Sequence, residues 1–188
     1  MPTQSSGPIS FADINSALGT GTPLSFNQLY RGGPFVPDIT PNSDIPTSGE
    51  INMQEMYDTW GIKTKSFTVT VGTHNSGKKK GALFGFGTGF GSISNGTFLT
   101  YNGTMTITGL YYSTTDQAWF LTISSTSSPA DNNSTFVNVS VSGYSIGGVR
   151  GSATNTQVVG NSREWEWSVL STSHPTSGTI ACTLHHYG

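Results

Sequence analysis

Residues 104–108 read Thr-Met-Thr-Ile-Thr and residues 164–169 read Glu-Trp-Glu-Trp-Ser-Val. In both, apolar and polar side chains alternate, and a period of two is the mark of a strand with one face buried and one in solvent. The same period recurs at Phe67, Val69 and Val71, at Trp119, Leu121 and Ile123, at Val137, Val139 and Val141, and at Ile180, Cys182 and Leu184. Thr, Ser, Asn or Glu fill the positions between. Asn95-Gly96 and Asn102-Gly103 are hairpin-turn dipeptides, and Gly/Ser/Pro clusters separate the other runs. Residues 62–188 are therefore predicted to form an antiparallel β-sandwich, jelly-roll or Ig-like, of about seven to nine strands. Trp165 and Trp167 belong to its core, with Glu164 and Glu166 facing solvent.

Within this part, Gly81–Gly91 (GALFGFGTGFG) places glycine at every second position around Phe84, Phe86 and Phe90. A dinucleotide fingerprint needs a helix after its glycines, and no helical period follows. Glycines on alternate strand positions leave one face bare, so the stretch reads as a packing device that admits another backbone or ring. Lys78-Lys79-Lys80 just before it reads as a solvated hairpin tip.

Upstream the period changes. Ile9-Ser10-Phe11-Ala12-Asp13-Ile14, Leu24-Ser25-Phe26-Asn27-Gln28-Leu29 and Ile51-Asn52-Met53-Gln54-Glu55-Met56 each set a capping Ser or Asn three residues before Asp, Gln or Glu. That is the capping box or a near variant, and Ile9/Ile14, Leu24/Leu29 and Ile51/Met56 flank it as hydrophobic staples. Gly19, Gly32 and Gly61 supply stops. Three short helices are expected, each below the length that persists alone in water. Between the second and third, residues 31–50 carry Pro34, Pro37, Pro41 and Pro46, which force extended geometry. Phe35, Val36, Ile39 and Ile45 make this stretch too apolar for a free linker. It is either a loop folded back on its own domain or an arm lying on a neighbouring subunit.

Composition narrows the function classes. Of 188 residues only 10% are charged, and the net charge is −2, so a nucleic-acid partner, which requires Lys and Arg against phosphates, is not expected. Residues 1–60 hold six acids against Arg31 alone, a balance of −5, and residues 61–188 hold seven bases against four acids, a balance of +3. A single cysteine, Cys182, rules out an internal disulfide framework and leaves the compartment open, though it fits folding in a reducing cytoplasm. Neither a leader peptide nor a membrane-spanning run is legible, so no membrane insertion is expected. The Asn-x-Ser/Thr matches at Asn95, Asn102, Asn132, Asn133 and Asn138 follow from composition alone.

Catalytic chemistry needs converging groups. Cys182 with His185 and His186 invites a metal reading, but strand alternation sends His185 to the opposite face, leaving too few ligands for a closed site. Glu164 and Glu166 share a strand face as glycosidase carboxylates do, yet nothing in the sequence separates their pKa values. No catalytic, cofactor or metal residue is assigned. Tyr111, Tyr112, Trp119, Phe120, Tyr144, Trp165 and Trp167 include rings on which sugars stack, although most alternate in phase with the core.

Gly7-Pro8-Ile9-Ser10-Phe11 with Ile14-Asn15, Pro23-Leu24-Ser25-Phe26 through Leu29-Tyr30-Arg31-Gly32-Gly33 and Val36-Pro37, and Ile45-Pro46-Thr47-Ser48-Gly49-Glu50-Ile51 through Met56-Tyr57 resemble a segment that recurs in virion structural proteins of tailed phages. In that family, cyanobacterial phages especially, it is a modular attachment segment of fibre, tail-tip and related surface proteins. The resemblance covers residues 7–61. Met56-Tyr57-Asp58-Thr59-Trp60-Gly61 stretches an ending that the family closes with aromatic-Tyr-Gly. More weakly, Phe84-Gly85-Phe86-Gly87, Gly109-Leu110-Tyr111 and Trp165-Glu166-Trp167 before Ser177-Gly178-Thr179 resemble distal domains of the same proteins.

The resemblance implies a non-enzymatic virion component, made in the host cytoplasm. Residues 1–61 would attach to other virion proteins of tail, baseplate or capsid, and residues 62–188 would be displayed as fibre, tail tip or decoration. Phe11, Phe26, Leu29, Tyr30, Arg31, Phe35, Met56 and Tyr57 are the expected interface, and a homotrimer or symmetric ring the expected assembly. The alternative is a glycan-binding module that recognises a host-surface receptor.

Overall fold

The computed structural model describes residues 2–20, 25–77, 81–126, 136–146, 148–168 and 173–187. The chain is mainly β, and its strands pair antiparallel. The strands are β1 (Ile62–Thr70), β2 (Gly72–Asn75), β3 (Ala82–Phe86), β4 (Ser92–Ser94), β5 (Thr97–Thr100) and β6 (Gly103–Ser113), then β7 (Ala118–Ser125), β8 (Phe136–Val141), β9 (Asn155–Val159), β10 (Ser162–Ser168) and β11 (Thr179–Tyr187). One sheet has the order β4-β1-β11-β8; the larger runs β2-β3-β6-β7-β10-β9, with β5 pairing β6 off that path.

Both sheets feed one core. Phe67, Val69, Val139 and Leu184 come from the smaller sheet, and Leu110, Trp119, Trp165 and Trp167 from the larger. Phe136 meets Trp165 edge-on, with ring centroids 4.9 Å apart, and this contact joins the two layers. The alternation read at Trp165/Trp167 and at Cys182/Leu184 is the alternation of burial in β10 and β11. In β8 it slips: His185 pairs Asn138 while His186 pairs Phe136. Val137 is the extra residue of a bulge, and Phe136 takes the buried place expected for Val137.

The two Asn-Gly dipeptides part company. Asn102-Gly103 turns the β5–β6 hairpin, in which Thr100 pairs Gly103. Asn95-Gly96 instead carries the chain from β4 in one sheet to β5 in the other. Asn95 accepts the left-handed conformation (φ 60°), and its side chain is fixed between Ser66 O (2.8 Å) and Lys65 Nζ (2.6 Å). The glycine-rich stretch packs closely within the chain. A Cβ on Gly85, whose φ is +140°, would stand 2.3 Å from Leu110 O, and one on Gly91 would stand 2.1 Å from Gly85 O.

The N-terminal residues build a second, smaller core from Ile14, Leu18, Leu29, Val36, Ile45 and Met56. Only the first capped segment is an α-helix, α1 (Phe11–Leu18), closed by Gly19 at φ 67°. The second and third are single 3₁₀ turns, Phe26–Gln28 and Met53–Met56. All three capping replies form: Ser10 N donates to Asp13 Oδ2 (2.8 Å), Ser25 N to Gln28 Oε1 (3.0 Å) and Asn52 N to Glu55 Oε2 (2.9 Å). A cap fixes where a turn starts, but one turn does not recover the nucleation cost of a helix. The Gly32-Gly33-Pro34 run follows the second turn, and Asp58 at φ 54° follows the third. Gly61 is not the expected left-handed stop. It leaves room for Leu18, whose Cδ2 would stand 2.8 Å from an added Cβ.

The proline-rich stretch is not extended throughout, since Thr40–Asn42 with Pro41 is a 3₁₀ turn, and it folds back on its own segment. Val36 and Ile45 enter the small core, Arg31 N donates to Pro46 O (3.0 Å), and Arg31 Nε donates to Ile45 O (3.2 Å). Buried Asn42 donates to Pro37 O (3.0 Å) and Trp60 O (2.9 Å) and accepts from Trp60 N (2.9 Å). Leu24, the Lys78-Lys79-Lys80 tip, Asn132, Asn133 and Val169 lie outside the described residues.

Candidate functional site

The eight expected interface residues divide by burial. Leu29 and Met56 are 0% exposed, so as members of the small core they are withdrawn from contact with another chain. Arg31 forms an ion pair with Asp38 (3.0 Å) and holds the proline-rich stretch in place. Tyr30 and Tyr57 are half-buried, their hydroxyls donating to Gly49 O and Gly7 O. Phe11 and Phe26 meet edge to face, centroids 4.7 Å apart, and Phe26 stays 43% exposed. Phe11 and Phe35 are half-buried against the small core, so of the three phenylalanines Phe26 is the exposed one.

A second arrangement lies on the face of the larger sheet turned away from the main core. The pairs Tyr111↔Phe120, Gly109↔Thr122, Glu164↔Thr122 and His74↔Leu83 place these residues on that face. There Leu83, Tyr111, Ala118 and Phe120 form a third apolar cluster, with Phe90 packed against it. Tyr111 stacks on Phe120 at 5.2 Å, Phe90 meets Tyr111 edge-on at 5.9 Å, and His74 stacks on Phe90 at 5.5 Å. Next to these rings opens a concavity of about 560 Å³.

Its opposite wall is polar. Glu164 Oε2 accepts from Tyr111 Oη (2.8 Å) and Thr122 Oγ1 (3.2 Å), and Oε1 accepts from Gln157 Nε2 (2.8 Å). The carboxylate expected in open solvent is thus half-buried and fixed. β10 aligns it with a hydroxyl on β7, an amide on β9 and a phenol on β6. Burial, and then the adjacent Glu164 charge, push the Tyr111 phenol above its usual range, so it remains a hydrogen-bond donor. β6 carries a register shift between Ile107 and Gly109, and both Thr108 and Gly109 line the concavity. A bulge that turns an extra side chain into a cavity and leaves a glycine beside it is a common way to shape a site.

Sequence reasoning put Tyr111 and Phe120 among the possible sugar-stacking rings and missed Phe90 and His74 as their neighbours. The other rings it named, Tyr112, Trp119, Trp165 and Trp167, are in the main core, with Tyr144 packed against it. Cys182 is buried and its thiol pushed up to about 12 by burial, and burial beside Phe98 pulls the His186 imidazole down to about 4. Among the described residues no three His, Cys, Asp or Glu side chains gather as metal ligands, and no helix is long and apolar enough to cross a membrane. Compared with family models, curated proteins and solved structures, the chain matches none.

Proposed function

We propose that this chain is a non-enzymatic structural component of a tailed-phage virion, attached through residues 1–61 and displaying residues 62–188 as a sandwich of the jelly-roll or Ig type. The attachment motifs of residues 7–61 supply the class. The observation that carries the division of labour is the pair of separate cores. The N-terminal part has a core of its own, on which Phe11 packs, and exposed Phe26, edge to face with Phe11, is the ring that another virion protein would cover. Aromatic rings are among the residue types that anchor interfaces.

Symmetric association of several copies, a homotrimer or ring, belongs to the same reading. A weakly charged surface offers little repulsion, and the strand β9, at one end of the larger sheet, exposes Val158 (48%) and Val159 (63%), an edge of the kind that pairs with another copy. Quantitative mass spectrometry of washed particles tests the proposal. A fixed copy number per particle is expected, high for a capsid decoration and low for a baseplate or fibre, and absence from the particles would overturn it.

A further inference from the structure

We propose that the concavity on the outer face of the larger sheet is a binding site for a neutral saccharide. The inference is independent of the virion reading. At about 560 Å³ the cavity falls within the range of roughly 300–1,000 Å³ usual for small-ligand sites. Its two walls differ in kind. Leu83, Phe90 and Tyr111 form an apolar wall, while Glu164, Thr108, Thr122 and Ser162 form a polar one. A pyranose has the matching division, with C–H faces that pack on rings and hydroxyls around its rim that need fixed partners.

Glu164 is the fixed partner. Held by Tyr111, Thr122 and Gln157, it is an acceptor whose position is set before a ligand arrives, and a carboxylate–hydroxyl bond is stronger than a neutral one. The same residue selects against other classes. A purely apolar ligand would strip water from the carboxylate and from three hydroxyls without replacing it. Among the described lining residues there is no Lys or Arg to receive an anion, and Glu164 repels one. Gly87 and Gly109 keep the floor open: a Cβ on Gly87 would stand 2.7 Å from the Phe90 ring, and one on Gly109 3.1 Å from Thr122 Oγ1.

The test uses the full-length chain. Two-dimensional amide NMR is recorded during titration with the methyl glycosides of glucose, galactose, mannose and N-acetylglucosamine, with phenyltrimethylammonium as a cationic probe. Saturable binding of at least one glycoside is expected, with shifts at Gly87, Thr88, Gly109 and Thr122. Glu164→Gln should weaken it by about tenfold or more, the size of one lost charge-assisted contact, and Phe90→Leu, which removes the ring a sugar face packs on, should weaken it as well. Glu166→Gln, on the same face but outside the lining, should leave it unchanged. Amide spectra of the variants without ligand show whether each is folded, and the wild-type shift map stands even if one is not. No binding of any glycoside, shifts confined to other residues, binding of the ammonium probe alone, or full affinity in folded Glu164→Gln would each overturn the assignment.

Discussion

The N-terminal sixty residues and the β part solve the same problem at different scales. The first gathers a small apolar core under one helix, short 3₁₀ turns and a proline-rich strap, and is pinned by buried polar groups such as Asn42, Thr3 and Thr59. The second buries three tryptophans between two sheets whose long strands are tied along their whole length. A small unit loses a larger share of its stability with each contact removed. The N-terminal part is therefore expected to open before the β part.

Truncation tests this contrast most strongly. Trp167→Ala removes a ring buried in the main core whose Nε1 also donates to Val149 O (2.9 Å), and should destabilise the β part by about 3–5 kcal/mol in denaturant melts. Leu29→Ala should cost about 2–4 kcal/mol, but hydrogen exchange should show that loss in residues 2–60 and leave β6 and β7 protected. If both substitutions lower protection everywhere alike, the two cores are one cooperative unit and the contrast fails.

Acid separates the regions next. His186 sits in the β part with its imidazole lowered to about 4, so the unfolded chain binds a proton more readily than the folded one between that value and the ordinary 6.5. The stabilisation is complete above about pH 6.5 and declines as pH falls toward 4, by up to roughly 3 kcal/mol. His186→Phe should flatten the loss in thermal melts across that range, and an unchanged slope would remove His186 from the account. The smallest effect is local: Ser10→Ala takes away the acceptor for Asp13 N, should cost about 1 kcal/mol, and should register only in exchange of α1 amides.

The strands were legible because alternation is a direct image of one-sided burial, as in β10 and β11. Caps were legible too, but Ser25 and Asn52 mark the beginning of a turn and carry no information on its length. The concavity was hidden because its residues are scattered over β2, β3, β6, β7, β9 and β10. It had one signal in the sequence. Leu110-Tyr111-Tyr112 and Ala118-Trp119-Phe120-Leu121 are unbroken apolar runs, and such runs mark strands covered on both faces, as burial across β6 and β7 shows. That Tyr111 and Phe120 stand opposite Tyr112 and Trp119 follows from parity. Which polar groups join them requires the register.

The proposed division between an attaching and a displayed part is tested most directly by competitive incorporation. Particles assembled with equal supplies of wild-type chain and a Phe11→Ser/Phe26→Ser chain, each shown to be folded by its amide spectrum, are washed and both chains counted by mass spectrometry. The wild-type chain should exceed the variant by about tenfold or more, as loss of a buried aromatic anchor implies. Equal incorporation would contradict attachment through the N-terminal face.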